Sequence, residues 1–509
     1  MNLRNWGRLG HADNDSEFDL GTNIVIMASG KEGDSRTPSP DAHLRIVHES
    51  GHWNRFHGSS VGVTLSLMKY ASERIIVDHF AALEHSEKIA LIGERKTGRK
   101  IFDFADPRPG RSERFTLVRQ LWLDLLAARW ALYDLHALHS TQWDFSAAVG
   151  SALTDVLIWG EPLFSTETAL LGRRAPLVRL ADEDSFGKAA VNGKELTTRH
   201  ILECASTIDE LLSLGLDDIG NSSGSEVGQV IRSMGWPFAD DRLAELARDR
   251  LADGEYGWPL QAYSSITGDT RFPESAMMTL LLCDVALNPP LPPFLDLDES
   301  AEMRWLDIYP PVRFLRCCQA AGKLGALSGL PSDGLLLEYS GDLCHAAQIT
   351  DPRDMGGLFT GNPIANTREA RFSFPGPGVG TLEGDYITFL SWAQRKLWEI
   401  RRESPTLLTF FGANSRSQVR AAADYITAGG HGTGWFMEPF QSYQGTYRTA
   451  LDGKESNQYL ASLALYLSLH DLVSASEADS RDWLPANLRD YRFWRDGKAA
   501  IEELVGCAI

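Results

Sequence analysis

Residues 44–58 read Leu44-Arg45-Ile46-Val47-His48-Glu49-Ser50-Gly51-His52-Trp53-Asn54-Arg55-Phe56-His57-Gly58. From Leu44 to about Ala90 the positions Val47, Gly51, Val61, Leu65, Met68, Ile75 and Ile76 recur at three- and four-residue steps. That is the period of a helix with one face on a core. Gly58 and Gly62 are expected to divide the run into two helices. Before it, Phe18–Ala28 reads as a strand and Ser29–Pro40, rich in Gly, Ser, Asp and Pro, as a loop. After it, helical patterns cover 112–139, 145–158 and 197–214, the last opening on Thr197-Thr198, good N-cap chemistry. The expected fold is mostly α with a few short N-terminal strands, an α+β class.

The stretch Gly215-Leu-Asp-Asp-Ile-Gly-Asn-Ser-Ser-Gly-Ser225 is the most linker-like in the chain. It suggests a division into 1–220 and 221–509, the second part helical and of unassigned role. There the patterns 226–234, 240–252, 275–287, 311–326, 383–402, 415–428 and 455–473 alternate with loops such as Leu287-Asn-Pro-Pro-Leu-Pro-Pro-Phe294. No internal repeat at a fixed period is visible.

Composition narrows the class. The chain has 509 residues, 43% hydrophobic and 23% charged, with a formal net charge of −19. That is ordinary globular composition, and the acidic balance argues against nucleic acid as the main partner, since a phosphate backbone calls for a basic footprint. No stretch approaches 18 uninterrupted apolar residues, so no membrane span is expected, and no secretory leader is visible. The cysteines Cys204, Cys283, Cys317, Cys318, Cys344 and Cys507 form no CxxC pair. That usage fits small core residues in a reducing, cytoplasmic setting.

The chemistry is concentrated in His48-Glu49-Ser50-Gly51-His52, an HExxH. On a helix, positions i and i+4 lie on one face, so His48 and His52 can reach one Zn2+ ion. The intervening Glu49 stands beside the open coordination position, where it can take a proton from water. With 13 histidines in 509 residues, composition alone produces the pattern in about 2% of such chains. The apolar lead-in Ile46-Val47 fits a buried site helix.

These residues resemble the HExxH zincins, a superfamily of zinc metallopeptidases, and the resemblance implies a zincin-like core. The metzincin branch continues HExxHxxGxxH. Here Arg55 stands where that glycine belongs and His57 falls one residue early. Gluzincins instead take a glutamate from a later helix, followed by small residues that let two helices pack closely. His200-Ile-Leu-Glu203-Cys-Ala-Ser206 resembles that element, with an insertion comprising the 112–158 helices before it. The resemblance implies His48, His52 and Glu203 as metal ligands and Glu49 as the catalytic base. The substrate implied is a peptide or protein, hydrolysed without a covalent enzyme intermediate. Glu73 is the competing third ligand, with Glu84 and Glu87 further along the same run. A zincin-like protein without activity, serving as an interaction or regulatory module, is the alternative.

Several signals carry less. His200 shares the face of Glu203 and reads either as a surface residue or as a group supporting the site. His57, Tyr133, His136 and His139 are candidates for stabilising an oxyanion. Arg74–His79 and Arg129–His136 match the Arg-x4–6-His spacing of HEPN-like RNases, which composition alone explains. Gly429-Gly-His-Gly-Thr-Gly434 lacks the lysine of a phosphate loop. Cys317-Cys318 falls within an amphipathic pattern and reads as core.

Overall fold

In the computed structural model, helix α1 spans Pro40–His57 and carries the whole HExxH. Proline suits a first helical position, because its missing N–H belongs to the turn that lacks intrahelical partners. Arg55 and His57 in the last turn complement the helix dipole. The Gly58 N–H closes the helix on the Asn54 carbonyl at 2.7 Å. A new helical stretch then starts at residue 60, where Ser59 Oγ accepts from the Gly62 N–H at 3.2 Å. The break at Gly58 agrees with the sequence. Gly62 is needed for a separate reason: a Cβ there would lie 1.7 Å from the Phe56 carbonyl oxygen.

The structure describes residues 8–10, 17–19, 24–27, 40–66, 68, 81–96, 112–117, 128, 131–133, 149–150, 152–153, 179–181, 189–221, 251, 254–271, 274–291, 294, 302–355, 394, 397–413, 440–441 and 506. Among them the protein is mostly helical with short strands. Strands β1 (Arg8–Gly10), β2 (Glu17–Asp19) and β3 (Ile24–Met27) form an antiparallel meander. Asp19 pairs with Ile24, so the chain reverses between them. The single strand expected over Phe18–Ala28 is therefore two strands. A fourth strand from far along the chain, Phe440–Gln441, joins the β3 edge in parallel.

Helix α2 spans His85–Lys96. Apart from Ser112, the patterns at 112–139 and 145–158 are helical wherever their residues are described. Strand β4 (Arg179–Ala181) pairs in parallel with Glu302–Arg304. β5 (Ala190–Val191) and β6 (Lys194–Glu195) make a hairpin through Asn192 and Gly193, at φ 54° and 78°. An Asn-Gly pair is suited to a two-residue turn that needs positive φ twice.

That hairpin delivers the chain into helix α3, Thr198–Asn221. The helix continues through Gly215–Asn221, so the first part of the linker-like stretch is helical. Leu212, Leu216 and Ile219 keep the helical spacing there, and this outweighs the glycines. From Ile201 to Leu211 every residue of α3 is buried.

Helices α4 (Trp258–Thr267), α5 (Glu274–Ala286), α6 (Trp305–Ile308), α7 (Pro310–Leu324) and α8 (Asp333–Ala347) come next. α5 is buried at every position from Ser275 to Ala286 and packs against α3, α4, α7 and α8. Its sequence is predominantly apolar on every face, as a helix enclosed on every side requires. The buried Arg313 guanidinium ties its end, donating to the carbonyls of Val285 at 3.3 Å and Asn288 at 3.1 Å. Cys204, Cys283, Cys317, Cys318 and Cys344 are buried free thiols. Burial pushes Cys204 and Cys317 up to about 12, so they are packing groups rather than nucleophiles.

The expected helices at 275–287 and 311–326 are present within a residue or two, and 397–403 is helical, overlapping the end of the expected 383–402. The patterns at 226–234, 415–428 and 455–473, the Gly429–Gly434 loop, Cys507 and nearly all of 240–252 lie outside the described residues. No helix among the described residues is long and apolar enough to cross a membrane.

Two glycines give the packing a direct test. Gly62→Ala places a methyl against backbone and should cost about 3 kcal/mol in urea unfolding. Gly334→Ala, with nothing within 4 Å of the added Cβ, should be neutral or stabilising by up to about 1 kcal/mol. Equal effects at both positions would contradict this packing.

Candidate metal centre

Helices α1 and α3 lie against each other, with Gly51 in the contact. A Cβ on Gly51 would meet Ser206 Oγ and Asp209 Oδ2 at 3.1 Å each. Gly51 weakens an isolated helix, and here it admits the partner helix. The approach brings His48, His52 and Glu203 together in a cluster that could hold a metal ion. His48 Nε2 and His52 Nε2 are 2.9 Å apart. Glu203 Oε2 lies 3.4 Å from the first and 3.2 Å from the second. The edge of a tetrahedron with bonds of 2.0–2.1 Å is about 3.3–3.4 Å, so the three donor atoms have a suitable separation for one small cation.

The outer nitrogens are held as well. His48 Nδ1 lies 2.5 Å from Glu210 Oε1. An ionised carboxylate only accepts, so Nδ1 carries a proton toward it and Nε2 is the nitrogen that faces the cluster. His52 Nδ1 lies 3.1 Å from Ser206 Oγ, a hydroxyl able to accept from the same tautomer. One face of α3, at the spacing 203, 206, 210, thus supplies a ligand and both orienting groups. Two imidazole Nε2 atoms and a carboxylate oxygen thus converge on one point, an arrangement that a proton or a metal cation satisfies.

Electrostatics depend on burial and neighbours. Burial opposes charge on His48, yet Glu210, Glu203 and Glu49 outweigh it and push the imidazole up to about 10. His52 goes the other way: burial brings it down to about 4, against the attraction of Glu203. Burial also opposes ionisation of Glu203, but the two histidines hold it well below the usual carboxylate range. Glu49 is 1% exposed, and its charge acts directly on His48.

Searches of protein-family models, curated proteins and solved structures found no match to this chain. The site must therefore be judged on its own geometry.

The remaining sequence candidates separate clearly. Glu73 lies outside the described residues, as do His136, His139 and both Arg-x4–6-His pairs. Glu87 accepts from Ser112 N at 2.8 Å and Ser112 Oγ at 2.9 Å, at the start of the helical stretch 113–117. Tyr133 is buried, beside the Leu132 carbonyl that accepts from Thr198 Oγ1 at 2.6 Å. His200 is not a surface residue. It is 5% exposed and completes a reciprocal cap: the Thr197 N–H donates to His200 Nδ1 at 3.0 Å. The His200 N–H returns a bond to Thr197 Oγ1 at 3.3 Å. Histidine here does the work of the glutamate in a capping box.

Sequence reasoning missed Asp209 and Glu210. Their signal was present: carboxylates at 203, 209 and 210 among Ile201, Leu202, Ile208 and Leu211, on a helix whose apolar content demands burial.

His57 faces a different neighbourhood. The Gln394 amide donates to its Nδ1 at 3.3 Å, and its ring lies 4.7 Å from that of Trp53. Burial lowers it to about 3. Its folded value is depressed below the unfolded one near 6.5, so unfolding takes up a proton between those limits. Stability contributed by the neutral ring is complete above about pH 6.5 and declines as pH falls toward 3. His57→Gln should flatten the dependence of urea stability on pH between 4 and 6 by up to about 1.4 kcal/mol per pH unit. Parallel curves for wild type and variant would contradict a neutral, buried His57.

Proposed function

We propose that the protein is a cytoplasmic zinc-dependent metallopeptidase or amide hydrolase with a zincin-like, gluzincin-type core. The observation that carries the reading is the convergence of His48, His52 and Glu203 at 2.9–3.4 Å. Two histidines and one carboxylate form a ligand set used by catalytic zinc, which keeps its fourth position for water or substrate. A bound zinc ion would supply Lewis acidity, polarising the scissile carbonyl and lowering the pKa of the attacking water. The chain's own residues do the rest. Glu49 accepts the proton of that water on its carboxylate and delivers it to the leaving nitrogen. Glu210 and Ser206 keep the Nδ1 protons of His48 and His52 in place, so that both Nε2 atoms remain available as ligands. The substrate is a peptide or protein.

Burial favours a second reading. His48, Glu49, His52 and Glu203 are each 1% exposed or less, whereas a peptide substrate needs access to the open position. In that reading the ion is structural and the protein serves as an interaction or regulatory module.

Metal analysis and one substitution separate the readings. Purified full-length chain from a zinc-replete preparation should carry about one zinc, and less than about 0.5 would overturn both readings, because three protein ligands should retain the ion. His48→Ala should lose the zinc. Glu49→Gln should keep it and lower turnover of a peptide library by a factor of about 10²–10⁴, the usual contribution of a general base. Full zinc occupancy with no peptidase activity establishes the structural role.

A further inference from the structure

Beyond the ligands, a buried ion pair joins the two helices: Arg55 Nη1 of α1 donates to Asp209 Oδ2 of α3. Both residues are fully enclosed, at 3% and 0% exposure. Arg55 lies one turn beyond His52, and Asp209 lies one turn beyond Ser206 and next to Glu210. The pair therefore sits at the end of the cluster, alongside the Gly51 contact, where Arg55 Nη1 would lie 3.2 Å from an added Cβ.

Neither partner is satisfied by the other alone. Arg55 Nη2 donates to the Thr409 carbonyl at 3.3 Å, and Asp209 Oδ1 accepts from the Gly412 N–H at 2.9 Å. Those groups belong to helix α9, Pro405–Thr409, and the 3-10 turn Phe411–Ala413 just after it. Gly412 is pressed so closely on α3 that a Cβ would lie 2.1 Å from the Asp209 carbonyl oxygen. A second buried pair anchors the same segment from the other side. Arg401 donates to Asp284 of α5 and to the Gly58 carbonyl, at the end of α1, at 2.6 Å. Thr409 Oγ1 donates to the same Asp284 carboxylate at 3.3 Å.

We propose that Pro405–Ala413 is an integral part of the metal centre, because it locks the Arg55–Asp209 pair that sets the spacing and rotation of the two ligand-bearing helices. Arg55, Asp209 and Gly412 are positioning residues, and they touch no ligand atom of the cluster. Movement of α1 against α3 alters the donor separations between the helices, since two ligands ride on one helix and the third on the other. Breaking one member of a buried, hydrogen-bonded pair leaves a charge without its partner, and the helices must shift or admit water. Cation affinity at His48, His52 and Glu203 therefore depends on a segment 203 residues from Asp209 in sequence. The inference rests on the metal-binding reading and adds a coupling that the reading does not contain.

Co2+ alone is the probe, titrated into metal-free full-length protein and followed by its visible absorption, which reports ligand geometry. Wild type should bind one ion. Asp209→Asn, Gly412→Ala and Arg55→Lys should each weaken binding at least tenfold and alter the absorption band, in line with the 10–100-fold effects of groups that orient metal ligands. Arg313→Lys serves as the comparison. It weakens a buried network of carbonyl bonds away from the site, and it should lower the urea midpoint while leaving Co2+ affinity and spectrum unchanged. Unchanged affinity and spectrum in folded Asp209→Asn or Arg55→Lys would overturn the proposal, as would an equal loss of affinity in Arg313→Lys at matched stability. If Gly412→Ala fails to fold, Arg55→Lys decides, because it retains the positive charge and removes only the forked link to Thr409. Absence of Co2+ and Zn2+ binding by wild type would instead remove the metal-binding reading itself.

Discussion

The close approach of α1 and α3 at Gly51 is the constraint on which the site depends. Two helices with polar side chains on their facing sides gain little by meeting unless each polar group finds a partner. Here three pairs cross the contact: His48 with Glu210, His52 with Ser206, Arg55 with Asp209. A buried ion pair adds little net stability compared with well-packed apolar residues, but losing one partner costs about 3–5 kcal/mol. Its effect is thus on register. Sliding α3 by one turn would leave Arg55 opposite the wrong residue, and the same slip would take Glu203 away from the histidines.

The charge at the contact has a direction. Arg55 stays cationic, since Asp209 outweighs the burial that opposes its charge. That cation is matched by Asp209, which leaves Glu49, Glu203 and Glu210 around two imidazoles. Three buried carboxylates beside two neutral ligands call for positive charge in the middle. In the metal-free protein His48 carries part of it as a proton, and a divalent cation must displace the proton from Nε2. The chain's overall charge of −19 says little about this, because solvated surface charges are screened over about 10 Å at ordinary salt. The arrangement inside the contact decides.

How much of this could be read in the sequence varied with the range of the interaction. His48, Glu49 and His52 were legible because an i, i+4 relation is local and the helix period imposes it. Glu203 was legible through the small residues after it, and the break at Gly58 through glycine alone. The division into β2 and β3 was not read, although Gly21 and Asn23 are turn-forming residue types. The Asn192-Gly193 hairpin had a clear local signal. His200 misled because histidine is commonly exposed, and only the Thr197 bonds reveal the cap. Arg55 and Asp209 could not be paired from sequence, since nothing local links residues so far apart, and the same holds for Gly412.

Such long-range pairing also governs how the chain is organised. A linker-like composition after Gly215 suggests that the later residues could be detached, and composition is a local property. The packing around α1 and α3 is not local. Asn288 Oδ1 accepts from the Ser60 N–H at 3.0 Å, Arg401 caps the end of α1 through the Gly58 carbonyl, and α5 lies against α3. Each of these contacts satisfies a buried polar group or covers an apolar side of the two site helices. With them removed, the buried carboxylates of α3 would face water, and the force that holds them against the histidines would be dissipated by solvation. The described residues after 221 do not need chemistry of their own to matter. By enclosing the α1–α3 contact they keep its dielectric low, and the low dielectric is what makes three carboxylates and two imidazoles behave as one site.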